Sequence, residues 1–180
     1  MGRIDESLDF IPVRIAVLTV SDSRSLAEDR SGDALVEMIG DAGHTVADRK
    51  IITDDRSLIR DILSAWIKDA GVDVIISTGG TGLTGRDVTV EAHRDVYEKE
   101  IEAFATVFTM VSMSKIGTSA VQSRATGGVA GGTYLFALPG STGACRDAWN
   151  DILKWQLDYR HKPCNFVQIL PRLDEHLRRK

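Results

Sequence analysis

The stretch VDVIISTGGTGLTGRDVT, residues 72–89, decides how this chain is read. An aliphatic run at 72–77 gives way to glycines, threonines and an aspartate, and a helical pattern resumes near residue 88. A near-continuous aliphatic run fits a strand covered on both faces in a parallel sheet. Glycine admits positive φ and lets the main chain approach a ligand. Successive N–H groups in such a loop form a concave anion site. Gly79, Gly80 and Gly82, with the Thr81 and Thr84 hydroxyls as further donors, therefore read as a phosphate cradle. The alternative is a tight turn whose glycines serve geometry alone. The spacing is neither GxxxxGK[ST] nor GxGxxG, so the common P-loop and dinucleotide fingerprints are absent.

The same pattern recurs on either side. Residues 13–20 (VRIAVLTV) read as a buried strand, 21–30 as a polar loop, and 31–43 as a helix with Leu35, Val36 and Ile39 on one face. Ser31 is its expected N-cap and Gly43 its stop. Residues 46–53 read as a strand near a sheet edge, because Asp48, Arg49 and Lys50 interrupt it. A helix follows over 55–69, carrying Leu58, Ile59, Ile62, Leu63 and Trp66. Residues 88–113 predict one or two helices with a Phe104/Val107/Phe108/Val111 stripe, placed in the core or at a subunit contact. A last strand is expected at 134–138, and PGST then leads into a long amphipathic helix with Ala148, Trp149, Ile152, Trp155 and Leu157. Residues 1–12 read as an arm, 13–170 as one domain, and the chain from Pro163 as extended, ending in a basic tail at 171–180.

Strands alternating with helices imply a parallel sheet with helices on both faces. Ligands in such sheets bind at the carboxyl ends of the strands. The loops at 21–32, 78–89 and 139–143 all leave strands there, and all are rich in Gly, Ser, Thr and Asp.

Composition narrows the function. The 180 residues suit one domain, and 43% apolar content supports a core. A net charge of -4 argues against a nucleic-acid binder. An anionic ligand would be held by backbone dipoles and a few arginines. The two cysteines, Cys145 and Cys164, have no metal spacing and read as reduced thiols; the four histidines, His44, His93, His161 and His176, show no ligand spacing either. No stretch approaches the ~18 apolar residues of a membrane span. MGRIDESLDF carries acids where a signal peptide is apolar. A cytoplasmic protein without membrane partners is expected.

Asp87 sharpens the reading of the glycine loop. A carboxylate beside a phosphate cradle repels the phosphate unless a cation lies between them. Mg²⁺ is commonly held by one or two carboxylates together with substrate phosphates. Asp87 also suits a helix cap, and the two roles are compatible. Arg86 is either a phosphate ligand or solvated. Asp54 and Asp55 end the second strand near the same sheet edge; one caps the following helix, by default Asp55, and the other is a candidate second carboxylate. Asp22, Asp29, Ser31 and Gly32 lie on the first loop, and Pro139, Gly140 and Ser141 follow the last strand. Arg124, after Ser123, is a candidate fork for a carboxylate or phosphate, or a surface ion-pair partner.

Together, TVSDSRS at 19–25, DRSGD at 29–33, STGGTGLTGRDVT at 77–89, QSRA at 122–125 and LPGS at 138–141 resemble the MoaB/MogA family of molybdenum-cofactor biosynthesis. KIGTSAVQSRA at 115–125, CRDAW and HKPCNF at 161–166 place the likeness nearest the MoaB branch. The resemblance spans residues 13–166. It implies a three-layer α/β/α sandwich with a mostly parallel sheet, assembled as trimers or hexamers, with other molybdenum-cofactor biosynthesis proteins as partners. It implies molybdopterin as ligand and, in the catalytic branch, adenylylation of its phosphate by Mg-ATP with release of pyrophosphate. Asp54 and Asp87 match the family's catalytic, Mg²⁺-holding carboxylates, with Asp55 the alternative to Asp54. Ser21, Asp22, Asp29, Ser31, Gly32, Gly79, Gly80, Thr81, Gly82, Ser123, Arg124, Pro139, Gly140 and Ser141 match or adjoin its substrate-binding loops. Val90 stands where the family commonly has proline. The second reading is an oligomer that binds molybdopterin or a precursor without adenylyl transfer.

Overall fold

The computed structural model describes residues 3–23 and 25–178. Met1 and Gly2 of the arm, Arg24 of TVSDSRS, and Arg179 and Lys180 of the tail lie outside the described residues. In chain order the elements are β1 (Arg3–Ile4), β2 (Arg14–Val20), α1 (Arg30–Asp41), β3 (Thr45–Ile52), α2 (Arg56–Ile67), β4 (Val74–Thr78), α3 (Thr89–Arg94), β5 (Lys99–Glu100) and α4 (Glu102–Ile116). Then come β6 (Thr126–Ala130), β7 (Thr133–Leu138), α5 (Thr142–Ala148), a π-helical turn (Trp149–Leu153), α6 (Lys154–Gln156), β8 (His161–Lys162), α7 (Phe166–Ile169) and α8 (Glu175–Arg178).

The main sheet has the order β3-β2-β4-β7-β6-β5. β3, β2, β4 and β7 run parallel, while β6 and β5 are antiparallel additions. The aliphatic runs alternate between two cores. Ile15, Val17, Val74, Ile76, Tyr134 and Phe136 meet α1, α4 and the α5 region through Leu35, Ile39, Phe104, Phe108 and Trp149. Ala16, Leu18, Ile75 and Leu135 meet α2 and α3 through Ile59, Leu63, Trp66 and Ala92. Strands buried on both faces are the expected outcome of such runs, and the result is a three-layer α/β/α sandwich.

Several local expectations need correction. Asp29, not Ser31, caps α1, accepting a hydrogen bond from the Gly32 N–H at 2.9 Å. Residues 88–113, expected as one or two helices, are two, α3 and α4; the short β5 between them is the addition. β6, TGGVA, has poor intrinsic strand preference and was not anticipated. It forms because Gly131 and Gly132, at φ 57° and 90°, turn the chain into a hairpin with β7. The chain after Pro163 is not extended; it makes short helices stabilised by contacts such as Phe166 against Tyr134 and Phe136. The N-terminal segment packs against the rest of the chain. β1 pairs with β8, and Phe10 lies under the Arg160 guanidinium and against His44.

Candidate functional site

The order β3-β2-β4 makes the chain switch direction beside β2, and a crevice opens there at the carboxyl ends. The loops after β2, β3, β4 and β7 converge on it. Gly79, at φ 95°, leaves β4 so close to β2 that a Cβ would collide with the Val20 carbonyl. Gly80, at φ 61°, lies against Asp54 and Thr89, and a Cβ would strike Asp54 Oδ1 and Thr89 Oγ1. These two positions need glycine for both their backbone and their crowding.

Asp54 and Asp55 take separate roles. Asp55 caps α2, accepting from Leu58 N at 2.9 Å and from the Ser57 hydroxyl at 2.5 Å. Asp54 instead lies against Gly80 at the start of the glycine loop. Its Oδ1 is buried without a hydrogen-bond partner. Burial raises its pKa; the Val88 N–H works the other way, Asp22 and Asp87 add like-charge repulsion, and Arg86 partly offsets them.

Asp87 has the opposite character. Its Oδ2 accepts from the Thr84 hydroxyl at 2.6 Å and from Thr84 N at 2.8 Å. The Thr84 hydroxyl leads the causes that lower its pKa, followed, after opposing burial, by the Thr84 and Gly82 backbone N–H groups. The Gly79 N–H goes to the Leu138 carbonyl at 3.1 Å. Part of the amide nest foreseen for a phosphate is thus taken by protein groups, with the Asp87 carboxylate seated in it.

The two arginines are engaged as well. Arg86 grips Asp22, with Nη2 2.9 Å from Oδ1 and Nε 3.1 Å from Oδ2, while Asp54 N donates to the same Oδ1 at 3.0 Å. Asp22 therefore ties three loops together. Arg124 is not an open fork. Its Nε donates to the Thr81 and Gly82 carbonyls at 2.9 and 3.0 Å, and its Nη1 pairs with Glu91 at 2.5 Å. Ser123 adjoins it at the end of the 3₁₀ turn Gly117–Gln122. Thr81 is buried, and Gly82 packs against the Asp87 carboxylate.

Asp29 also departs from a ligand-facing role. It is fully buried, and its carboxylate is taken by Thr19 at 2.7 Å, Arg49 at 2.9 Å, Gly32 N at 2.9 Å and Ser31 at 3.2 Å. Burial opposes its ionisation, but these donors prevail and lower its pKa. Ser31 and Gly32 are buried with it, and a Cβ on Gly32 would collide with Asp29. Asp29, Ser31 and Gly32 build the start of α1 and face inward.

Ser21 continues the pairing of β2, its N–H donating to Ile52 O at 2.8 Å. The Pro139 carbonyl accepts from Thr78 at 3.0 Å, and Gly140 packs on Gly79. Ser141 caps α5, accepting from Ala144 N at 3.2 Å. Gly140 and Ser141 help line a polar cavity of about 540 Å³ with Ser23, Glu28, Arg30 and Thr142. A larger apolar groove, about 810 Å³, lies elsewhere, between α4 and the Trp155–Phe166 region. Thr89 and Glu91 were missed in the sequence; each matters through a partner far away in the chain, and local pattern carries no such signal.

Residues 16–159 match the family described as "Probable molybdopterin binding domain". The chain is 50% identical over 160 residues to "Molybdenum cofactor biosynthesis protein B" of Escherichia coli K12, covering 89% of this chain and 94% of the relative. A crystal structure of a Molybdenum cofactor biosynthesis protein B superposes with a TM-score of 0.83 at 37% identity, covering 92% of this chain and 98% of that one. The tungsten cofactor synthesizing protein MoaB from Pyrococcus furiosus superposes at 0.71 with 30% identity, covering 93% and 98%.

Proposed function

The chain belongs to the molybdopterin-binding domain family, and from that premise we propose that it acts in molybdenum-cofactor biosynthesis by adenylylating molybdopterin with Mg-ATP. The observation that carries the reading is Asp54: a carboxylate with a buried, unpartnered oxygen, crowded by Asp22 and Asp87. Such a group is relieved by a cation. Asp54 and Asp87 would hold Mg²⁺. Among the described residues no three His, Cys, Asp or Glu side chains converge on one point, so the remaining positions would fall to phosphate oxygens and water.

The reaction needs no general base. A phosphate monoester has a second pKa near ~6 and is already ionised at neutral pH. One of its oxygens attacks the α-phosphorus of ATP; the bond from that phosphorus to the bridging oxygen breaks, and pyrophosphate leaves. The bound ion would supply neutralisation of the phosphate charge. The protein supplies alignment. The Asp22–Arg86 clamp fixes the loops after β2, β3 and β4, and Arg124 braces the glycine loop through the Thr81 and Gly82 carbonyls. The polar cavity beside Ser141 offers room for ligand at the start of α5.

A second reading, pterin binding without adenylyl transfer, is favoured by one feature: Asp87 Oδ2 is already satisfied by Thr84. Assembly into a trimer or hexamer belongs to both readings. α4 is apolar nearly all round, with Phe104 and Phe108 buried but Val107, Met110, Met113 and Ile116 exposed in the single chain. Such a helix suits burial on both sides.

The test is to mix the purified chain with molybdopterin, Mg²⁺ and ATP. EDTA-sensitive formation of adenylylated pterin and pyrophosphate supports the transferase. Tight pterin binding without product supports the second reading.

A further inference from the structure

Thr89 opens α3, yet its hydroxyl caps nothing. Its backbone N–H donates to the Gly80 carbonyl at 2.9 Å, while its side chain is fully buried and Oγ1 has no partner. Buried hydroxyls are normally paired, and one left alone costs stability. Asp54 Oδ1, from the end of β3, is buried and unpartnered too. Both oxygens border one small space: a Cβ on Gly80 would meet these two atoms first. A hydroxyl can donate, and a carboxylate only accepts. A donor and an acceptor thus border the same glycine, with no bond between them.

We infer that Thr89 is a positioning residue for Asp54, its hydroxyl donating to Oδ1 when the carboxylate takes up a divalent cation and so orienting the carboxylate toward the ion. The inference rests on the cation reading of Asp54 given above. Outer-shell donors of this kind fix the orientation of a metal ligand, and losing one costs roughly 10–100-fold in metal affinity.

The test is titration of the full chain with Mn²⁺, with free ion followed by electron paramagnetic resonance, alongside melting of the metal-free protein. Thr89→Val keeps the shape and removes the hydroxyl. It is expected to weaken Mn²⁺ binding about tenfold while melting no lower than wild type without metal, because an unpaired hydroxyl has been replaced by a methyl. A purely structural hydrogen bond would lower the melting temperature instead. Thr89→Ser is expected to bind near wild type. Should valine pack badly, Thr89→Ser against Thr89→Ala isolates the hydroxyl. Equal affinity in that pair, or wild-type affinity in Thr89→Val while Asp54→Asn has lost Mn²⁺, overturns the inference and leaves the cation reading standing. If Asp54→Asn binds Mn²⁺ as wild type does, the cation reading fails and this inference with it.

Discussion

Arg124 and Glu91, 33 residues apart in the chain, form an ion pair at 2.5 Å, and the same guanidinium holds two carbonyls of the glycine loop. Arg124→Leu would leave the Thr81 and Gly82 carbonyls and the Glu91 carboxylate without this donor. A destabilisation of about 1–3 kcal/mol is expected, with faster amide exchange across 80–87. Lysine would not restore it, since it lacks the planar fork. Hydrogen exchange by mass spectrometry checks this. Unchanged exchange with lost pterin binding would return Arg124 to the role of ligand fork.

Gly80→Ala should disable the site. The position has φ 61°, and the new methyl would collide with Asp54 and Thr89. Roughly 1–3 kcal/mol of backbone strain adds to displacement of the Asp54 carboxylate. Gly85→Ala is the control: a Cβ there meets nothing within 4 Å, so stability and activity should hold. Chemical denaturation of both variants, read beside the adenylylation assay, separates the two cases.

Asp54→Asn should raise stability and abolish function together. Burial raises the folded pKa of Asp54 above the ordinary carboxylate range, with like-charge neighbours adding to it. Its ionised form is therefore disfavoured by folding, and stability from this group is present at low pH and lost as pH rises through the folded pKa. At neutral pH the neutral amide removes that cost, and melting should rise by about 2–4 °C if the gain is near 1 kcal/mol. Mg-dependent adenylylation should fall about 100-fold or more. Added Mg²⁺ should raise the melting temperature of wild type but not of the variant.

His93 predicts acid sensitivity above the carboxylate range. It is fully buried between the Ser77 hydroxyl, 2.8 Å from Nε2, and the Tyr97 hydroxyl, 3.2 Å from Nδ1. Burial drops its pKa from 6.5 to about 3, and burial lowers His44 as well. Both folded pKa values lie below the unfolded one, so their contribution is full above pH ~6.5 and is lost as pH falls. His93 contributes a slope approaching about 1.4 kcal/mol per pH unit once its unfolded form is protonated. Urea unfolding between pH 7 and pH 5 should show this loss, with His93→Gln removing part of the slope.

The exposed face of α4 predicts self-association. Met110 and Met113 are 67% and 48% exposed beside Val107 and Ile116. Sedimentation of the wild-type chain should give an oligomer, and Met110→Glu with Met113→Lys should lower the mass without unfolding the sandwich. A wild-type monomer at micromolar concentration would remove the assembly from both readings.

The sequence by itself determined the sandwich and the region of the site. Aliphatic runs such as 13–20 and 72–77 can be satisfied only between two helical layers, and the glycines at 79 and 80 mark where main chain must bend at positive φ. Both are local consequences of side-chain chemistry. Tertiary structure decided which polar groups face the crevice and which hold it together. Asp55 reads as the cap of α2 from the sequence alone, whereas only the packing of Gly80 and Thr89 leaves Asp54 with a bare oxygen. Asp29 and Arg124 look like ligand groups in sequence, yet Arg49, Thr19, Glu91 and loop carbonyls saturate them. β6 exists only because β7 offers it an edge. These outcomes depend on hydrogen-bond partners tens of residues away. No local pattern specifies such partners, because the energy that selects them arises only when the sheet brings the loops together.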